Sequence, residues 1–184
     1  MHHAENGYLD RIHQLHQQLG IPPNYAHERG LTLQPEATHL VDVEHGSTGN
    51  ILQLAEETSK TWHSMKNAAS HDGIHLLMVS GYRGLEYQAG LIQKKLDRGE
   101  SIEAILKILA PPGYSEHHTG QAIDITSPDC PPCIERFEKT DAFAWLQTHA
   151  SEFDFVMSYP RGNRYGFMYE PWHWAYRHNA DFSL

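Results

Sequence analysis

Cysteine is scarce in this chain, with two residues in 184, so neither a disulfide framework nor a four-thiolate metal site can be built. The pair forms Cys130-Pro131-Pro132-Cys133, a spacing shared by zinc hooks and redox motifs. With no second pair to complete a site, it reads as a proline-stiffened loop carrying two ordinary thiols. No run of about 18 apolar residues occurs, which excludes insertion of a helix into a membrane. A basic start followed by an apolar stretch is also missing from the N-terminal region. That sets the expectation of a cytoplasmic protein, or a periplasmic one if an export signal precedes the given chain. Basic residues are few: Lys and Arg number 14 against 23 Asp and Glu, for a net charge of −9. Without a basic block there is no footprint for a phosphate backbone, so nucleic acid is excluded as the partner. There is no internal repeat. His-Glu-x-x-His is absent too, which rules out an ordinary zincin helix.

What is present is the composition of a folded domain. Hydrophobic residues make up 40% and charged residues 20% of the chain, enough to bury a core, and the length suits one domain with one core and one active site. Leu9, Ile12, Leu15 and Leu19 recur at helical spacing over Tyr8 to Leu19, and Gly20 with Pro22-Pro23 ends the pattern. A short strand is expected over Thr38 to Val43. Asn50 is placed to cap a helix running to about Ala69, broken by Asp72-Gly73. Ile74 to Ser80 reads as a buried strand. Helices to Arg98 and over Ser101 to Ala110 follow, the second ended by Pro111-Pro112-Gly113. Beyond it, Ala122 to Thr126, Phe155 to Ser158 and Trp172 to Tyr176 are short strand candidates, with a helix over Asp141 to Ala150 between them. Helices set apart from a small sheet predict an α+β fold, a single domain with a small antiparallel sheet and helices packed on it. We divide it into a helical and loop region, 1–73, packed on a core, 74–184.

With 15 histidines in the chain, a histidine means little without its context. Ser115-Glu116-His117-His118-Thr119-Gly120-Gln121-Ala122-Ile123-Asp124 is a polar loop running into a short apolar strand that carries a carboxylate, so His117 and Asp124 can converge. In Glu170-Pro171-Trp172-His173-Trp174 a carboxylate and an imidazole lie three apart among aromatics. A straight strand would turn them to opposite faces, so a shared site requires a bend at Pro171. A hydrolytic zinc site takes three nitrogen or oxygen ligands and one open position. His117, Asp124 and His173 supply that set for one zinc ion, and Glu170 is placed to accept and return the proton of the attacking water. Trp172 and Trp174 are assigned to packing.

These segments resemble the D-alanyl-D-alanine carboxypeptidase family of the VanY and VanX type, which is related to hedgehog-like zinc folds. Its pattern, Ser-x-His-x-x-Gly-x-Ala-x-Asp followed by Glu-x-x-His, is matched by Ser115, His117, Gly120, Ala122 and Asp124, then by Glu170 and His173. The family register selects His117 as the ligand, with His118 as the alternative. Ser80-Gly81-Tyr82-Arg83, with Gln88 five residues on, resembles the family's Ser-Gly-Tyr-Arg-Ser-x-x-x-Gln, with Gly84 in place of the second Ser. The resemblance implies that Arg83 stabilises the oxyanion. It further implies that Ser115 and Gln88 hold the substrate's terminal carboxylate or peptide groups. After His173 this chain continues Trp174-Ala175-Tyr176-Arg177, a departure from the usual Tyr/Trp-Arg-Tyr-Val.

The expected activity is zinc-dependent release of a C-terminal D-alanine from peptidoglycan stem peptides. Soluble muropeptides are the expected partners, and L,D-carboxypeptidase action on tetrapeptides in cell-wall recycling is favoured. The alternatives are a D,D-carboxypeptidase or dipeptidase, an endopeptidase of the phage-lysin type, and a zinc-stabilised binding module without turnover.

Overall fold

The computed structural model describes residues 2–46 and 49–177, with side chains from Gly7 onward; residues 178–184 of the expected core region lie outside them. Helix α1, His2–Leu19, buries Ile12, Leu15 and Leu19 along one stripe. It closes in a Schellman motif, in which Ile21 N–H donates to His16 O at 2.9 Å and Gly20, at φ +68°, donates to Gln17 O at 3.3 Å. A four-residue helix α2, Tyr25–Glu28, follows. Strands β1, Leu40–His45, and β2, Ile51–Ala55, pair antiparallel as a two-stranded sheet of their own.

Here the structure corrects the sequence reading. The helix expected from Asn50 begins only at Glu56, as α3, Glu56–His71, and Ile51 to Ala55 form a strand instead. Ile51, Leu54 and Ala55 fit a helical stripe, but Ile51-Leu52-Gln53-Leu54 also alternates, and burial follows the alternation: Ile51 is 52% exposed, Leu52 6%, Leu54 fully buried. Pairing with β1 decides between the two periods. Glu56 and Glu57 then sit in the first turn of α3, where carboxylates suit the positive end of the helix dipole.

Strand β3, Leu77–Ser80, leads through Gly81-Tyr82-Arg83-Gly84 into α4, Leu85–Leu96. Gly84 takes no capping role of its own. Glu36, distant in sequence, accepts from Leu85 N–H at 2.7 Å, and a Cβ on residue 84 would lie 2.9 Å from that carboxylate oxygen. The glycine thus makes room for a borrowed cap. Helix α5 is shorter than expected, Ile102–Ile105, capped by Ser101 and followed by turns. Strand β4, Ala122–Thr126, helix α6, Asp141–His149, and strands β5, Phe155–Met157, and β6, His173–Tyr176, complete the regular elements. The four-stranded sheet has the order β3-β4-β6-β5, antiparallel throughout, so the fold is α+β as expected.

Two clusters of buried side chains replace the single core. One joins the sheet to α3 and α6 through Leu54, Trp62, Ile123, Phe137, Phe155 and Trp174; the other packs α1, α4 and α5 through Ile12, Leu85, Ile92 and Ile105. Residues on both sides of position 73 build the first cluster. No helix among the described residues is long and apolar enough to cross a membrane.

Candidate active site

Strand β4 is buried at every position, and its centre carries a carboxylate. Asp124 lies opposite His173 in the β4–β6 ladder, so one cross-strand pair places both side chains on the same face. His117 arrives from a 3₁₀ turn, Glu116–Thr119, that enters β4 through Gly120. Gly120 has φ +67°, and a Cβ there would come within 2.8 Å of Ala55 N, whose N–H donates to Gly120 O at 3.0 Å. Only glycine fits this approach of turn to β2. The bend foreseen at Pro171 is present as a turn, with His173 N–H donating to Glu170 O at 3.1 Å across Pro171-Trp172.

His117, Asp124 and His173 converge, each 2–4% exposed, with donor atoms within 4.8 Å of one another. His117 Nδ1–H donates to Gly81 O at 2.6 Å, leaving the Nε2 lone pair facing Asp124 Oδ1 at 3.3 Å. His173 turns Nδ1 to the same oxygen at 3.1 Å, while its Nε2 meets Glu116 Oε2 at 2.9 Å. Burial and the neighbouring Arg83 hold His117 down at about 4, so it stays neutral. Burial opposes the charge of Asp124, but His117 and Arg83 keep its pKa well below the usual carboxylate range. His173 is also opposed by burial, yet its bonds to Asp124 and Glu116 push it up to about 10. The donor set fits a divalent metal: two imidazoles and a carboxylate on rigid elements, each imidazole's second nitrogen committed to an acceptor. Uptake of a divalent metal by His117, Asp124 and His173 would need a lone pair from each imidazole and would release any proton held there.

His118, the alternative ligand, has both ring nitrogens engaged elsewhere. Its Nδ1–H donates to Arg83 O at 2.6 Å, and Nε2 accepts from Gly113 N–H at 3.0 Å. Arg83 is fixed along its whole length: its backbone N–H reaches His117 O at 3.2 Å, Nε donates to Ser80 Oγ at 3.0 Å, and Nη2 lies 2.5 Å from both His117 Nε2 and Asp124 Oδ2. Gln88, 1% exposed, donates from Nε2 to Ala110 O at 2.8 Å and accepts from Arg83 Nη1 at 3.5 Å. In this arrangement it braces Arg83. Ser115 heads the 3₁₀ turn, but its side chain makes no capping bond.

His117, Asp124, His173, Arg83, Gln88, Ser115 and Glu170 line one cleft of about 500 Å³ where the two buried clusters meet, Leu109 on one side and Trp172 on the other. Burial, aided by Asp124 and against the pull of His173, raises Glu170 to about 7, a value suited to taking up and giving back a proton near neutrality. Tyr159, to which the sequence assigns no role, stacks on His173 with ring centroids 4.8 Å apart. Cys133 also enters the cleft wall, at φ +54°. Both cysteines are free. No sequence signal marks Tyr159, and the Cys-x-x-Cys spacing that marks Cys133 carries no sign that it borders the cleft.

The family model for VanY, D-alanyl-D-alanine carboxypeptidase, matches residues 51–179. The chain belongs to this family. It is 30% identical over 173 residues to the putative carboxypeptidase YodJ of Bacillus subtilis, covering 88% of this chain and 58% of that one; it thus spans less than two thirds of that relative. Among solved structures it is similar to the LdcB LD-carboxypeptidase, with a TM-score of 0.69 and 29% identity over 77% of this chain and 69% of the other. It is also similar to the vancomycin-resistance D,D-pentapeptidase VanY in complex with Zn(II), with a TM-score of 0.61 and 26% identity over 78% and 80%.

Proposed function

We propose that the protein is a zinc-dependent carboxypeptidase that releases the C-terminal D-alanine of peptidoglycan stem peptides, acting on the L,D bond of tetrapeptides. The observation that carries the reading is the convergence of His117, Asp124 and His173 in the cleft that Glu170 and Arg83 also line. The VanY relative's Zn(II) names the metal. The higher similarity to the LD-carboxypeptidase favours the L,D bond.

His117, Asp124 and His173 would hold the zinc, which would supply Lewis acidity towards water and the scissile carbonyl. Glu170 accepts the proton of the attacking water and delivers it to the departing amine. The Arg83 guanidinium, braced by Ser80 and Gln88, donates to the carbonyl oxygen as negative charge develops on it. Ser115 offers a hydroxyl to the substrate's terminal carboxylate. Apolar side chains in the cleft wall, Leu109 and Trp172 among them, strengthen each of these contacts.

D,D action on pentapeptides is the second reading, favoured by the likeness to VanY. The deciding experiment incubates zinc-loaded protein with purified disaccharide tetrapeptide and pentapeptide, with and without a chelator, and reads released D-alanine and product masses. Chelator-sensitive loss of one alanine from tetrapeptide is the expected result. Loss from pentapeptide alone replaces the L,D assignment by the D,D one, and no release from either overturns the carboxypeptidase reading.

A further inference from the structure

Glu116 has no part in the chemistry above, yet its side chain is a charged group only 7% exposed. It precedes His117 in sequence but reaches across to His173, where Oε2 accepts from Nε2–H at 2.9 Å. Its other oxygen, Oε1, is taken by Arg177 Nη2. Arg177 directly follows β6 and is itself tied down, its backbone N–H donating to Asp154 O at 2.8 Å. The carboxylate is therefore gripped at both ends. The His173 ring is held on its other sides too: Tyr159 lies on its face at 27° and His117 meets it at 71°, centroids 4.9 Å apart. Only Nδ1 is left to face Asp124.

We propose that Glu116, anchored by Arg177, is a positioning residue that fixes His173 with its proton on Nε2 and its lone pair on Nδ1, and so sets the metal affinity of the site. The inference rests on the metallopeptidase reading and adds a residue to it. A carboxylate accepting from the far nitrogen of a ligating imidazole locks the tautomer, orients the ring and makes the near nitrogen a stronger donor. His117 lacks this help, since its far nitrogen donates to the neutral carbonyl of Gly81. The charge-assisted bond at His173 is the stronger of the two, so of the two imidazoles His173 is the one whose far nitrogen is held by a side chain. A purely structural ion pair between Glu116 and Arg177 would tie the 3₁₀ turn to the end of β6 and leave metal affinity unchanged.

The test measures zinc affinity by competition with a chromophoric chelator for wild type, Glu116→Ala and Glu116→Gln, with circular dichroism to verify folding. It adds ¹⁵N spectra of the histidine rings in zinc-loaded wild type. Glu116→Ala is expected to bind zinc about 10–100-fold more weakly. Glu116→Gln, whose amide oxygen still accepts from Nε2–H, is expected to recover most of that loss. The spectra should show His173 coordinating through Nδ1 with its proton on Nε2, a readout that stands even if the alanine variant does not fold. A folded Glu116→Ala that binds zinc as tightly as wild type overturns the proposal, as does His173 carrying its ring proton on Nδ1. A wild type that binds no zinc would instead overturn the metallopeptidase reading beneath it.

Discussion

Glu170 owes its chemistry to its surroundings. Burial raises its carboxyl to about 7; the general-base role proposed for it needs the ionised form, so kcat/KM should rise with pH as that proton leaves. A dication in the cleft favours the carboxylate and moves this limb lower, so the pH–rate profile should show an acid limb at or below 7. Glu170→Gln is expected to retain bound zinc, to lose about 10²–10⁴-fold in kcat, and to show no such limb in its residual rate. Arg83→Lys should cost about 10²–10³-fold in kcat, because an ammonium cannot keep the fork that reaches Ser80, Gln88 and the ligand set together; steady-state kinetics on the tetrapeptide check it. At this scale the sequence was most informative where side chains are bound to a motif. His117, Asp124, His173, Glu170, Arg83, Ser115 and Gln88 all meet at one cleft. What Gln88 and His118 do for Arg83 was not legible, because bracing it is a matter of which way an amide or a ring nitrogen points. Glu116 stood in plain view beside His117, but its partner is 57 positions away.

Among the elements, turns demand more of their residues than strands do. Gly20 and Gly120 both adopt the left-handed region, yet a Cβ at Gly20 meets nothing within 4 Å whereas one at Gly120 meets the backbone of β2. Gly20→Ala should therefore cost only the backbone strain, about 1–2 kcal/mol. Gly120→Ala should cost roughly a further 1–3 kcal/mol from crowding and weaken zinc binding by shifting His117; urea unfolding and chelator competition separate the two effects. Strand β4 and helix α6 were readable because their hydrophobic patterns fit one period. Ile51 to Ala55 fit two, and the choice was made by hydrogen bonds to β1, a segment whose approach no local pattern announces. The borrowed cap of α4 escaped notice for the same reason: Glu36 lies 49 positions from Leu85.

Over the whole molecule the cleft joins two separately packed clusters, and a metal ion at its centre couples folding to binding. Zinc at about 100 times its dissociation constant adds roughly 2.7 kcal/mol to the folded state, which for a chain of this size raises Tm by about 5–10 °C. Thermal scans with zinc, and again after addition of a chelator, should show the rise and its reversal. The two-cluster interior was hidden from composition, which reports how much apolar surface there is to bury and not how the chain divides it.

The three ligands do not share one foundation. Asp124 and His173 face each other across the β4–β6 ladder, whereas His117 is carried by a short turn that enters β4 through Gly120. An ion held by all three would therefore tie the turn to the strand pair, a link beyond the backbone bonds that already join them.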